Sequence, residues 1–358
     1  MPSLYLYLLS FFFVFFWGIA TRYRFRLLSD NRMTFVQSTS GSTKLICVLL
    51  AVLLVTTCML KPEEIADYMT YQHYYNALSL NYNPKESLEP TFKWITALSP
   101  SFSILILIYA LLAVSLNIWV IQRYSCNIPL SLLLYLSPFF VLHDMIQIRV
   151  AVSCALMLGA VTYIPTRDWK KYFTLIVIAC LFHISSIMFI PIYFLSGTKM
   201  YKGFYSIAII ALLMAAFIHV SIGLLIQYIP IPLIQVYYLS YTSSFWNAAP
   251  EVGFVIIGKC AMALWMIYKI NTIQKLFPYA IISLKIFIIS IACFILFTDI
   301  PVMAGRLFEF TGIIDIYTLA MFPLVSHKWK KVLAVFPITF AIFRLPFAIA
   351  LLTSTIDN

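Results

Sequence analysis

Apolar runs of about 20 residues recur along this chain, joined by short polar connections. A run of that length crosses the hydrocarbon of a bilayer as a helix, the form that satisfies every backbone N–H and C=O without water. Only 10% of the 358 residues are charged, against about 25% in a soluble domain. No tract remains from which a soluble domain could be built. The expected fold is an all-α polytopic membrane protein, with residues 1–358 forming a single integral membrane domain.

Charge sets the orientation. The formal net charge is +11, which in so apolar a chain marks cytoplasmic loops and not nucleic-acid binding. The first span, 4–20, is followed by "TRYRFR" and reads as a retained helix with a basic flank rather than a cleaved signal. Arg22, Arg24, Arg26, Arg32 and Lys44 precede the second span, 45–60, so this loop is cytoplasmic and the segment 61–99 lies on the outer face. Spans near 102–122, 129–142 and 150–164 follow, ending at the basic "PTRDWKK". The next run, 172–195, contains His183. A single crossing there would put "KMYK" and "SHKWKK" outside, against the charge rule. A break or re-entrant bend at 183–186 restores the rule, and broken helices are tolerated where protein or a wet cavity shields them. With a second outer-face segment at 227–251, the reading gives about 11–12 transmembrane segments, counting the broken pair. No internal repeat is visible. The seven cysteines are scattered without a C-x-x-C pair and read as core residues.

The unusual polar residues fall on the outer side. The stretch 63–90 holds five of the chain's 13 acidic residues together with a run of tyrosines. In "ADYMTYQHYYNAL", Asp67, Tyr71 and Tyr74 recur at helical spacing and would share one face. They fit either an interfacial tyrosine belt or a carboxylate beside sugar-binding rings, since tyrosine offers a pyranose both an apolar face and a hydroxyl. Glu89 precedes Pro90 at a helix start, where it favours the N-terminus or accepts substrate hydroxyls. Arg149 opens the fifth span with a planar fork suited to phosphate, or snorkels. His143 and Asp144 are candidates to pair with it. His183 is a proton carrier or a structural histidine. Arg306 and Glu309 stand at i, i+3, as a local ion pair or a phosphate-facing arginine. No metal-binding or Walker pattern occurs, so no metal or other cofactor is expected.

The motifs "DYMTY", "EP", "IRVA", "FHIS" and "PVMAGRL", in this order between residues 45 and 325, together resemble the EpsG family of Wzy-type polymerases of O-antigen, capsule or exopolysaccharide. Val150 departs from the pattern, in which a polar residue such as glutamine often follows the arginine. The resemblance implies a multi-pass protein of the bacterial inner membrane, similar to metal-independent C-type glycosyltransferases, with amphipathic helices on its outer face. It implies undecaprenyl-diphosphate-linked glycans as both donor and acceptor at the periplasmic face, and a chain-length regulator as a candidate partner. Under it, Arg149 and Arg306 stabilise the diphosphate leaving group, and His183 or Asp67, with Glu89 third, accepts the proton of the attacking hydroxyl. Tyr68, Tyr71, Tyr74, Glu89, His143, Glu309 and Trp246 complete the expected substrate-binding set. A lipid-linked glycan flippase, an O-antigen ligase, a membrane acyltransferase and a non-catalytic scaffold are the competing readings.

Overall fold

A computed structural model of the protein describes residues 1–21, 40–80, 88–218, 228, 253–275, 277–326 and 328–353, and all regular structure among them is helical. Trp246 and most of the expected segment 227–251 lie outside the described residues. The helices are α1 (Pro2–Ala20), α2 (Gly41–Met59), α3 (Tyr68–Ser79), α4 (Pro90–Leu98) and α5 (Phe102–Tyr124). Then come α6 (Ile128–Leu134), which continues as a π-helix over Tyr135–Ile146, α7 (Ile148–Val161), α8 (Trp169–Phe182) and a 3-10 helix over Ile184–Phe194. The second half holds α9 (Lys202–Phe217), α10 (Phe254–Ile273), α11 (Ala280–Leu296), α12 (Pro301–Gly312), α13 (Asp315–Met321, extended as a 3-10 turn to Val325), α14 (Lys330–Leu333) and α15 (Val335–Thr353).

Side chains mark several helix starts. Ser40 and Asn127 accept the backbone N–H groups of Thr43 and Leu130 at 3.3 and 2.8 Å, which satisfies donors that the first turn leaves free. Proline stands in the first turn of α1, α4, α6 and α12, where its missing N–H costs nothing.

Among the described residues, six helices are long and apolar enough to cross a membrane. A bent apolar pair, Met303–Gly312 with Asp315–Val325 at 56°, makes a seventh if its two limbs count as one broken span. Four further apolar helices, α7, α9, α11 and the 3-10 helix, are shorter. The count from sequence also takes in the shorter apolar helices and segments outside the described residues. A 14-residue helix such as α7 reaches only about 21 Å, short of a hydrocarbon core of about 30 Å.

The run 172–195 does break where expected. Helix α8 stops at Phe182, His183 is extended (φ −154°, ψ 114°), and the 3-10 helix begins at Ile184. The two limbs then lie side by side. The Tyr172 hydroxyl donates to the Phe189 carbonyl at 2.6 Å, and Arg167 Nη2 donates to the Leu195 carbonyl at 3.1 Å. The chain therefore goes up and comes back, with His183 at the tip. Fourteen α-helical residues rise about 21 Å and eleven 3-10 residues about 22 Å, so the limbs match in height.

The Ile128–Ile146 segment is wholly buried and forms the axis of the bundle. Tyr7 donates to its Leu136 and Ser137 carbonyls at 2.9 and 3.0 Å. Its own Ser131 and Ser137 donate to the Ile316 and Ala341 carbonyls at 2.8 and 2.6 Å. Around this axis, residues such as Phe16 and Val52 stay exposed, as lipid-facing side chains do, since lipid tails are as apolar as they are. The element order puts α3, α4, the tip at His183 and the start of α12 at one end of the bundle. Arg123, Arg167, Lys170, Lys171, Lys199 and Lys202 lie at the other.

At the base of the hairpin a Cβ on Gly197 would meet the Pro165 Cα at 2.9 Å, whereas one on Gly203 would meet open space. Gly197→Ala should destabilise the protein by about 1–3 kcal/mol through overpacking, and Gly203→Ala should not. Thermal unfolding of the two variants in detergent measures the difference.

Candidate active site

Three elements meet at Glu89. The residue before a proline is held out of the helical region, and Glu89 is accordingly extended (φ −61°, ψ 147°) ahead of Pro90 at the start of α4. Its carboxylate does not cap that helix, so it is free to reach outward. Oε2 accepts from Arg149 Nη1 in the first turn of α7, and Oε1 lies 3.1 Å from His183 Nδ1 at the hairpin tip. The three side chains are 10%, 19% and 25% exposed, sheltered but reachable.

A carboxylate can only accept, so in a neutral His183 the proton sits on Nδ1 and the Nε2 lone pair is left available. The guanidinium of Arg149 lies against two neighbouring rings, with Tyr71 at 5.3 Å and Phe92 at 5.8 Å, an arrangement that favours the cation. Its Nε–H has no hydrogen-bond partner. Two bonds to Ala179 and Leu181 carbonyls fix the scaffold: Ser153 ties α7 to α8 at 3.0 Å, and Thr91 ties α4 to α8 at 2.7 Å. Burial pushes the Glu89 carboxyl up, but the His183 hydrogen bond and the Arg149 charge outweigh it and hold it below its ordinary value.

Asp67 stands just before α3 with a left-handed backbone (φ 65°), a conformation aspartate tolerates better than most residues. It is exposed, its carbonyl accepts the Tyr71 backbone N–H at 2.9 Å, and its charge acts on Tyr71. Arg306, Arg149 and Lys61 are the cations that act on it. Arg306 itself is exposed on α12, and Glu309 is half-buried, facing Arg344 and Arg306 electrostatically. The same helix supplies Phe310, whose ring packs edge-on against His183 and against Phe189, both at 5.9 Å.

The remaining candidates divide. Tyr71 and Tyr74 are buried against Phe92 at 5.9 and 6.4 Å, so they wall the arginine from behind. Tyr68 packs on Phe102 at 5.2 Å. His143 lies behind the site, within electrostatic reach of His183 and beside the Glu309 backbone. It is buried within the π-helix, stacked on Phe139 at 5.9 Å, with Nδ1 3.3 Å from Gln147 Oε1. The partner of Arg149 is Glu89, which is 60 residues away in sequence and so invisible to a local reading. Phe92, Thr91 and Phe310 also escaped the sequence reading, because single apolar or hydroxyl residues in such a chain carry no signal. Lys259, Asp315 and Arg344 were each legible as charges inside apolar runs, but not as a cluster.

These observations define a multi-pass helical membrane protein whose carboxylate, arginine and histidine converge at one end of the bundle. Residues 44–356 match the family model described as the EpsG family. The chain belongs to that family, which is polysaccharide polymerase-like. Neither the curated proteins nor the solved structures contain a match.

Because its folded carboxyl lies below the ordinary value of 4.5, Glu89 stabilises the fold fully above that pH, and the contribution is lost as pH falls through the depressed folded value. Glu89→Gln should melt below the wild type at pH 7, and the gap should narrow as pH is lowered from 5 to 3. Thermal unfolding in detergent across that range tests the sign.

Proposed function

We infer that the protein is a glycosyltransferase that polymerises lipid-linked oligosaccharide repeat units. Membership of the EpsG family carries the class, and the convergence of Glu89, Arg149 and His183 from three elements supports the chemistry. A transfer from a lipid diphosphate needs cationic stabilisation of the leaving group and a proton acceptor on the attacking hydroxyl. Arg149, whose side chain stays 19% exposed, and Arg306, exposed at the same end, take the first role. His183 takes the second through Nε2, with Glu89 fixing the ring. Glu89 is already engaged with two partners and so orients rather than abstracts. Asp67, among cations at the helix start, is the candidate to hold a sugar hydroxyl near the donor.

The substrates on this reading are undecaprenyl-diphosphate-linked glycans, donor and acceptor alike. The protein would reside in the bacterial inner membrane, with its site at the periplasmic face. The distribution of charge supports that orientation, because the basic loops crowd the opposite end of the bundle. It also weighs against a flippase, whose polar path would run to both faces. A chain-length regulator remains a candidate partner on family grounds alone.

The test is polymerisation of a defined lipid-linked repeat unit by the purified protein, with EDTA present. Wild type should give a ladder of products. Arg149→Ala and His183→Ala should each lower the rate by at least about 100-fold, the usual scale for general-base or charge-stabilising groups. Normal ladders from both variants would overturn the site. Movement of lipid without extension of glycan would overturn the polymerase reading.

A further inference from the structure

A second charged cluster lies inside the bundle, away from Glu89. Lys259 of α10 is fully buried, and its Nζ donates to both carboxylate oxygens of Asp315, at 2.9 and 3.0 Å, and to Ser290 Oγ of α11 at 3.1 Å. Rings of Phe287 and Phe308 face the ammonium, each at 4.5 Å. Arg344 of α15 approaches the other side of Asp315 at 3.8 Å between Phe139 and Phe340, and it also acts on Glu309. Removing ionic groups from water costs several kcal/mol each, and an apolar replacement of similar volume is often no less stable. Stability alone therefore gives no reason for four ionisable groups here.

The location supplies one. Asp315 is the first residue after the 56° bend that joins the two limbs of the broken span. Glu309 lies in the limb before the bend. Arg344 thus faces a carboxylate on each limb, while Lys259 and Ser290 anchor the second limb to α10 and α11. The limb before the bend is the one that delivers Phe310 to His183 and Arg306 to the neighbourhood of Asp67.

We propose that Lys259, Asp315 and Arg344 form a positioning cluster that sets the bend and thereby holds Phe310 against the catalytic histidine and Arg306 near Asp67. The proposal rests on the reading of Glu89, Arg149 and His183 as the site. Asp315 and Lys259 are positioning residues, since neither touches that site.

The test replaces Phe310 with 4-fluorophenylalanine in the full chain and reads its ¹⁹F resonance in detergent, beside the polymerisation assay. Two backgrounds are compared with wild type: Asp315→Asn, and the charge-free pair Lys259→Met with Asp315→Leu. The expected result is a moved ¹⁹F resonance and at least a tenfold loss of polymerisation, in a protein that still unfolds cooperatively near the wild-type temperature. A resonance at its wild-type position in both backgrounds overturns the proposal. So does full polymerisation by the charge-free pair, or unfolding of both variants, which would make the cluster part of the fold alone. Should wild type itself fail to polymerise, the catalytic reading falls, and the ¹⁹F comparison still decides whether the cluster places Phe310.

Discussion

One carboxylate organises the functional end of the molecule. Glu89 pairs with both Arg149 and His183, and those residues arrive on α7 and at the hairpin tip respectively. Without a shared anion, a guanidinium and an imidazole at this separation would repel whenever the histidine is charged. With it, each is held at a fixed bearing, and the arginine's desolvation is offset by a partner and two aromatic faces. The carboxylate can serve two partners because Pro90 keeps its backbone extended and leaves its side chain out of helix capping.

The rest of the architecture answers a different constraint, the need to satisfy backbone groups where there is no water. The site requires interruptions: a hairpin tip at His183 and a bent span before Asp315. Side chains take up carbonyls around such breaks, as Thr311 does for the Leu307 carbonyl at 2.6 Å just before the bend. At the hairpin, Tyr172, Arg167 and Lys285 take up the carbonyls of Phe189, Leu195 and Ser196. At the end of the π-helix, buried Lys61 donates to the Met145 carbonyl at 2.7 Å. Burial pushes that lysine down to about 8, which is the cost of using an ammonium as a backbone cap in an enclosed place.

Much of the fold was legible because lipid restricts the alternatives. Apolar runs, flanking charges and the forced break in 172–195 followed from hydropathy and charge alone. The number of full-length crossings did not, because neither periodicity nor hydropathy separates a straight helix from a short or bent one. At the site, His183, Arg149 and Glu89 were legible one by one as polar residues out of place. Their assembly was not, since the contacts span 60 and 94 residues of sequence. His143 was legible as an ionisable residue beside a span, but its burial and its stacking on Phe139 were not. Asp67 was legible as a helix-start carboxylate, but its left-handed backbone was not.

The hairpin also acts as a ruler. Its base is clamped where Gly197 closes on Pro165, and its tip must meet Glu89. The length of α8 alone then fixes both the depth and the compass bearing of the histidine. One residue more or fewer would displace the ring by about 1.5 Å and swing it by about 100°. A surface loop absorbs such a change, but a strut between two anchored points cannot. Among the connections of this chain, the one between Asp168 and His183 is therefore the least free to vary in length, whatever its individual apolar side chains become.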